Sequence, residues 1–178
     1  MKRQSFALQV FQKIIFMMIF FVSALTFAET NNSNYSLGAI LGSPTAITGR
    51  YDFSSQNAVD VGLSFFYDYG VLIYSDYLWK FPGRFGRRTK FLSEVIPYIG
   101  AGAGLYSWNN QYRYSDRPYG WKSNDTNGFG LYGRVPFGAE WIPKNIPIGV
   151  FAEIAPGLAL LPGLWLTADI GIGIRYRF

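Results

Sequence analysis

The chain has 178 residues, enough for one domain, with 20 glycines, 19% aromatic residues and only 15% charged residues. It contains no cysteine and no histidine, which excludes disulfides, thiol catalysis and a serine–histidine–aspartate hydrolase. Without Lys2, Arg3 and Lys13, the 16 basic residues fall to 13 against 11 acidic ones, a balance that is untypical of nucleic-acid-binding proteins.

Residues 1–28 have the pattern of a secretory signal peptide. Basic residues come first, Ile14 to Leu25 form a short apolar run, and small residues precede a cleavage site before Glu29. An uncleaved membrane anchor is the alternative, but it needs about 20 apolar residues. Residues 29–34 are polar and are expected to form an N-terminal tail, followed by one domain over 35–178.

The remaining chain alternates between apolar and polar residues with a period of two, which predicts strands. Pro44 marks either a turn between the first two strands or a kink in one long strand. A turn gives the even strand count expected of bacterial barrels. We therefore predict an all-β fold, an eight-stranded antiparallel up-and-down transmembrane β-barrel. The eight segments are 36–42, 45–53, 57–66, 70–81, 95–108, 128–142, 147–157 and 164–178.

The last segment has the clearest alternation. Large apolar residues occupy every second position and end in Tyr176 and Phe178, while glycines and charged residues lie between them. Such a terminal aromatic resembles the signal read by the barrel-assembly machinery. Aromatic residues also recur near strand ends, as expected for two interfacial girdles. They are Tyr51, Phe53, Phe65, Tyr67, Trp79, Phe81, Trp141, Tyr176 and Phe178.

Charged residues within the strands always fall on the face opposite the apolar residues. An outward Arg or Lys at the bilayer midplane would cost about 2–4 kcal/mol, whereas charges inside a narrow barrel can pair. The near balance of the two signs predicts a polar core and not the wall of a wide pore. The predicted lumen charge network comprises Arg50, Asp52, Asp60, Asp76, Lys80, Arg134, Glu140, Glu153, Asp169, Arg175 and Arg177.

The connections are assigned by placing both termini on the periplasmic side. Residues 158–163 and the large loop 109–127 are then extracellular, and 143–146 and 82–94 are periplasmic. The basic residues of 82–94 either face the anionic inner leaflet or form a solvated loop. The large loop is rich in residue types common at binding hot spots, so it either contacts a surface ligand or packs on the rim against lipopolysaccharide. These residues are Tyr112, Arg113, Tyr114, Arg117, Tyr119, Trp121 and Lys122.

Several short motifs together resemble a family of small bacterial outer-membrane barrel proteins of unknown function, of the OmpA/OmpX-like eight-stranded type. The resemblance spans nearly the whole mature chain and implies no catalytic residues. It also implies that some members face the host as surface antigens or adhesins. The motifs lie at Leu41–Thr45, Asp76–Trp79, Tyr98–Gly102, Arg134–Gly138, Glu153–Gly157 and Gly171–Phe178.

The sequence thus predicts an outer-membrane protein with a structural or surface-interaction role, without catalysis, cofactor or metal. The expected partners are outer-membrane lipid, lipopolysaccharide, the barrel-assembly machinery and an unidentified surface ligand. One alternative is a small channel, which the bulky inward aromatics should obstruct. Another is a soluble periplasmic barrel that binds a lipophilic ligand, because alternation alone does not tell the inner face from the outer face.

Overall fold

The computed structural model describes residues 34–66, 70–86, 89–108 and 128–178. The predicted signal peptide, most of the predicted tail and the predicted surface loop at 109–127 lie outside these ranges. Within them, no helix is both long enough and apolar enough to cross a membrane.

The described residues form one closed sheet in which every pairing is antiparallel. β1 pairs with β9 and β4 pairs with β5, which closes the sheet into a barrel. The predicted all-β, eight-stranded barrel is therefore confirmed. The elements are β1 (Tyr35–Ser43), β2 (Ala46–Asp52), β3 (Asn57–Phe66), β4 (Gly70–Lys80), α1 (Lys90–Glu94), β5 (Val95–Trp108), β6 (Gly128–Arg134), β7 (Phe137–Trp141), β8 (Ile148–Leu161) and β9 (Trp165–Arg177).

Nine strand segments fill eight positions because β6 and β7 are halves of one strand. Both halves pair with β5 on one side and β8 on the other. The break falls at Val135 and Pro136, since proline has no N–H to continue the ladder. Val135 N still donates to Pro156 O at 2.9 Å, and Gly100 N donates to Pro136 O at 2.8 Å. The wall therefore stays closed across the break.

Pro44 lies in a turn, so the first two strands are separate. Ile40 of β1 lies opposite Ala46 of β2, and the Thr45 side chain bonds both backbone groups of Gly42 across the turn. The prediction of a connection at 158–163 was wrong. β8 continues to Leu161 and pairs with β9 as far as Trp165, so the connection shrinks to 162–164.

The two ends of the barrel carry different connections. Ser36 pairs with Arg177, so β1 begins where β9 ends; we call this the terminal end. It carries the connections 53–56, 81–94 and 142–147. The other end, the far end, carries 44–45, 67–69, 109–127 and 162–164.

Helix α1 was not predicted, and it fixes the connection 81–94 to the barrel wall. Thr89 caps it by accepting a hydrogen bond from Leu92 N at 3.3 Å. Phe91 then packs on Trp141 with ring centroids 5.7 Å apart, and the Trp141 Nε1 donates to Glu94 Oε2 at 3.2 Å. The long connection therefore returns to the wall before β5 begins.

The alternating faces have one orientation throughout the barrel. On β9, Ile170, Ile172 and Ile174 are 62%, 64% and 52% exposed, whereas Asp169 and Arg175 are 5% and 2% exposed. The apolar face is thus outside and the charged face inside. A soluble barrel with a lipophilic ligand would need the reverse arrangement.

Large side chains fill the interior because each lies opposite a small residue on the neighbouring strand. A Cβ on any of these glycines would overlap the facing ring. An eight-stranded barrel is just wide enough for its own side chains, so an aromatic ring needs such a gap. The five aromatic–glycine pairs are Tyr74–Gly62, Tyr132–Gly104, Tyr106–Gly130, Tyr98–Gly138 and Phe151–Gly173.

We expect Gly173→Val to lower the free energy of unfolding by about 1–3 kcal/mol, because the new side chain overlaps the Phe151 ring. Gly133 is the matched control, since a Cβ there meets nothing closer than 3.9 Å. Gly133→Val should change the free energy by less than about 0.5 kcal/mol. Urea unfolding of the refolded full chain in detergent micelles measures both. Equal midpoints for the two variants would contradict this account of the interior.

Candidate functional site in the barrel interior

The strands bring their charged side chains together in the interior. Of the eleven residues predicted as a lumen charge network, nine are buried, and Asp52 and Arg177 are half-buried near the terminal end. Each lies at an inward position of the period-two alternation, on a strand whose outward positions are apolar. The alternation along each strand therefore directs these charges into the lumen. Their contacts there are with charged residues of other strands.

The terminal cluster, which we define as Arg50, Asp60, Glu140 and Arg175, joins β2, β3, β7 and β9. Arg50 binds Asp60 through two parallel contacts, Nε–Oδ1 at 2.5 Å and Nη2–Oδ2 at 2.9 Å, and it also pairs with Glu140. Arg175 Nη2 donates to Asp60 Oδ2 at 2.6 Å, and its Nη1 lies 3.9 Å from Glu140. Two positive charges face two negative charges, so this cluster is neutral.

Aromatic rings complete the contacts of the terminal cluster. The Arg175 guanidinium carbon lies 3.7 Å from the centroid of the Phe151 ring, and that of Arg50 lies 5.2 Å from the Tyr98 ring. A cation over a ring face is attracted to the ring quadrupole, and the attraction strengthens when both are dry. The rings therefore stabilise the guanidinium groups while they fill the cross-section.

The central cluster, which we define as Asp76, Arg134, Glu153 and Asp169, gathers three carboxylates around one guanidinium. Arg134 Nη2 lies 2.5 Å from Glu153 Oε1, Nη1 lies 2.9 Å from Asp169 Oδ2, and Nε lies 3.3 Å from Asp76 Oδ1. The Tyr98 hydroxyl donates to the second oxygen of Glu153 at 2.9 Å. One arginine of β6 thus connects β4, β8 and β9.

Near the terminal end, Lys80 pairs with Asp52, whose side chain is 19% exposed. Arg177 lies beside this end of β9, where its backbone N donates to Pro147 O at 2.7 Å. These residues belong to the rim of the barrel and take no part in the two buried clusters.

Toward the far end the interior is filled by apolar and tyrosine side chains. The Tyr106 and Tyr132 rings lie 6.1 Å apart, and the Tyr106 hydroxyl donates to Leu161 O at 2.6 Å. One small cavity of about 10 Å³ adjoins Arg134, Glu153 and Asp169, which is room for about one water molecule. This packed cluster extends from the far end to Phe151 beside the terminal cluster, and it comprises Ile40, Ala46, Leu72, Tyr74, Tyr106, Tyr132, Phe151 and Ala159, with Trp165 against them.

This arrangement offers little reactive chemistry. In the part of the chain that the structure describes, no group of three acidic, histidine or cysteine residues is placed to hold a metal. The interior carboxylates face arginine or lysine at ion-pair distance. The absence of catalysis and of cofactors stays a prediction. The interaction that the structure shows at this site is ion pairing.

Two other predicted sites have different positions. The surface-loop residues Tyr112, Arg113, Tyr114, Arg117, Tyr119, Trp121 and Lys122 lie outside the described residues. Tyr176 pairs with Leu37 and Ile148 near the terminal end of β9, and Phe178 follows that strand. Their role as an assembly signal stays a prediction.

Sequence reasoning did not find the partners within the clusters, nor the Tyr98 contact to Glu153. The alternation identifies inward residues, but their contacts join strands that are distant in the sequence. The glycines opposite the rings were a usable signal, because glycine in a strand interior often marks a close approach.

No protein-family model matches the chain, and no curated protein matches it. Among solved structures, the chain is similar to the N-terminal β-barrel domain of OprF from Pseudomonas aeruginosa. The identity is 15% and the TM-score 0.49, over 80% of this chain and 95% of that chain. The resemblance to a family of unknown function stays a prediction.

We expect Arg134→Met to lower the free energy of unfolding by about 3–5 kcal/mol, because three carboxylates would lose their counter-charge in a dry interior. Lys80→Met is the control and should cost about 1 kcal/mol, since Asp52 keeps contact with water. Adding Glu153→Gln and Asp169→Asn to Arg134→Met should recover part of the loss. Urea unfolding in micelles is the measurement. Equal losses for Arg134→Met and Lys80→Met would show that the central cluster contributes no more to the free energy of unfolding than the pair at the rim.

Proposed function

We propose that the protein is an integral protein of the bacterial outer membrane, exported through a cleaved signal peptide. The observation that carries the proposal is the sorting of its side chains: the outer face of the strands is apolar and the strand charges lie inside. This sorting suits a hydrocarbon solvent, in which an outward basic residue at the midplane costs about 2–4 kcal/mol. A closed barrel also leaves no strand edge unpaired in lipid.

The dimensions of the wall support the same proposal. The longer strands have 10 to 14 residues, and a tilted strand needs about 9–11 to cross the hydrocarbon. At the terminal end, consecutive ring centroids lie 4.7, 4.9, 6.4 and 5.1 Å apart around the wall. We call these rings the aromatic belt, and such belts lie at the membrane–water interface. The belt comprises Tyr35, Tyr51, Phe53, Tyr77 and Trp79.

A structural or surface-interaction role fits the filled interior better than a channel does. The two ion clusters and the far-end side chains occupy the cross-section, and the cavity beside Arg134 has room for about one water molecule. The proposed surface contact rests on the composition of the loop 109–127, and proposed insertion by the barrel-assembly machinery rests on Tyr176 and Phe178. Lipopolysaccharide is the proposed neighbour of the rim at the far end, where the loop 109–127 connects two strands.

The membrane proposal predicts heat-modifiable migration. Protein extracted from purified outer membranes should migrate faster on SDS gels when unheated than when boiled, because a closed hydrogen-bonded barrel resists SDS. Fractionation should place it with the outer membrane. Recovery in the soluble periplasm without a migration shift would overturn the proposal.

The filled interior predicts the absence of steady conductance. The refolded full chain in planar lipid bilayers should give no reproducible open level, with a general porin as the positive control. Uniform, long-lived openings from the wild-type chain would instead assign it a channel function.

A further inference from the structure

In the part of the chain that the structure describes, the exposed charges lie at one end of the barrel and have one sign. Within the described ranges, the exposed charged side chains are Arg84, Lys90 and Lys144, and all three belong to connections at the terminal end. Of the acidic groups nearby, Asp52 pairs with Lys80, and Glu94 is buried, where it accepts a hydrogen bond from Trp141. The terminal end therefore presents a net positive surface.

The connection 81–94 displays exposed apolar rings beside its basic residues. Phe81, Phe85 and Phe91 are 45%, 48% and 57% exposed, and they alternate along the chain with Arg84 and Lys90. The packing of Phe91 on Trp141 holds the connection against the wall. Arg87 and Arg88 add two positive charges to the sequence of the same connection.

The position of the aromatic belt indicates the depth of this connection relative to the surface of the proposed membrane. Trp79 is the last belt residue on β4, and Phe81 follows it after one residue, so the connection begins directly beyond the belt. Belt aromatics mark the boundary between hydrocarbon and headgroups. The basic residues just beyond that boundary lie at the level of lipid phosphates.

We propose that the described residues of the connection 81–94 bind anionic phospholipid headgroups at the membrane surface. Arg84 and Lys90 pair with the phosphates, while Phe85 and Phe91 enter the boundary of the acyl chains. The inference rests on the membrane insertion proposed above. An anionic lipid surface suits both groups of residues, because it offers negative charge to the basic side chains and an apolar layer to the rings. A soluble anion would leave the rings in water.

The test uses the full chain refolded into nanodiscs that contain equal amounts of phosphatidylcholine and phosphatidylglycerol. Native mass spectrometry counts the lipids retained on the protein. The wild type should retain phosphatidylglycerol in preference to phosphatidylcholine. The double variant Arg84→Gln, Lys90→Gln should weaken this preference by about fivefold or more, the effect of losing at least one basic contact at a membrane surface. The control Lys144→Gln removes an exposed charge from another connection at the same end and should keep the preference.

The outcomes separate this inference from the membrane proposal. Failure to form a heat-modifiable barrel in any nanodisc would overturn membrane insertion itself. Normal insertion with equal retention of both lipids would overturn only the lipid contact, as would loss of preference in the control variant alone. In nanodiscs to which lipid A is added, a wild type that retains lipid A but not phosphatidylglycerol would assign the surface to lipopolysaccharide instead. If the double variant does not fold, the wild-type preference is measured against salt. An ionic contact should weaken as salt rises, and a salt-independent preference would overturn the proposal.

Discussion

Charges that have left water must be paired, and this constraint governs the interior of the barrel. Arg134 on β6 contacts carboxylates on β4, β8 and β9, and of these strands only β8 is its neighbour in the wall. Backbone hydrogen bonds join adjacent strands, whereas the arginines join opposite sides of the lumen. Removing one partner of such a pair is costly, although the pair as a whole adds little net stability. The clusters therefore select one arrangement of the strands around the lumen and add little to the net stability of the barrel.

The aromatic rings and glycines follow from the same narrow cross-section. A ring such as Phe151 fits only because its cross-strand partner is Gly173, and it then stacks under the Arg175 guanidinium at 3.7 Å. Packing and electrostatics are thus satisfied by one arrangement. A larger residue at the glycine would displace the ring and, with it, the charge that the ring supports.

Much of the fold could be predicted from the sequence because a period of two has one structural meaning. Ile172 and Arg175 could be assigned to opposite faces without knowing any contact. The partners of Arg134 could not, because they depend on the register around the closed barrel. The sequence predicts that the segment 147–157 ends at Gly157, yet β8 continues to Leu161, since β6 and β9 pair with it on both sides. Helix α1 has only five residues, too few for a periodic signal.

The buried and the exposed charged residues of the protein are arranged differently. The buried groups are paired at short range: the terminal cluster is neutral, and the central cluster gathers three carboxylates around one arginine. Among the residues that the structure describes, the exposed charged groups are basic and lie at the end that also carries the aromatic belt. In the proposed membrane setting, an apolar wall can slide and tilt in lipid, and rim groups of this kind resist displacement along the membrane normal. On that proposal Trp79 and Arg84 at the rim set the depth of the barrel, while Arg134 and Arg175 within it set its shape.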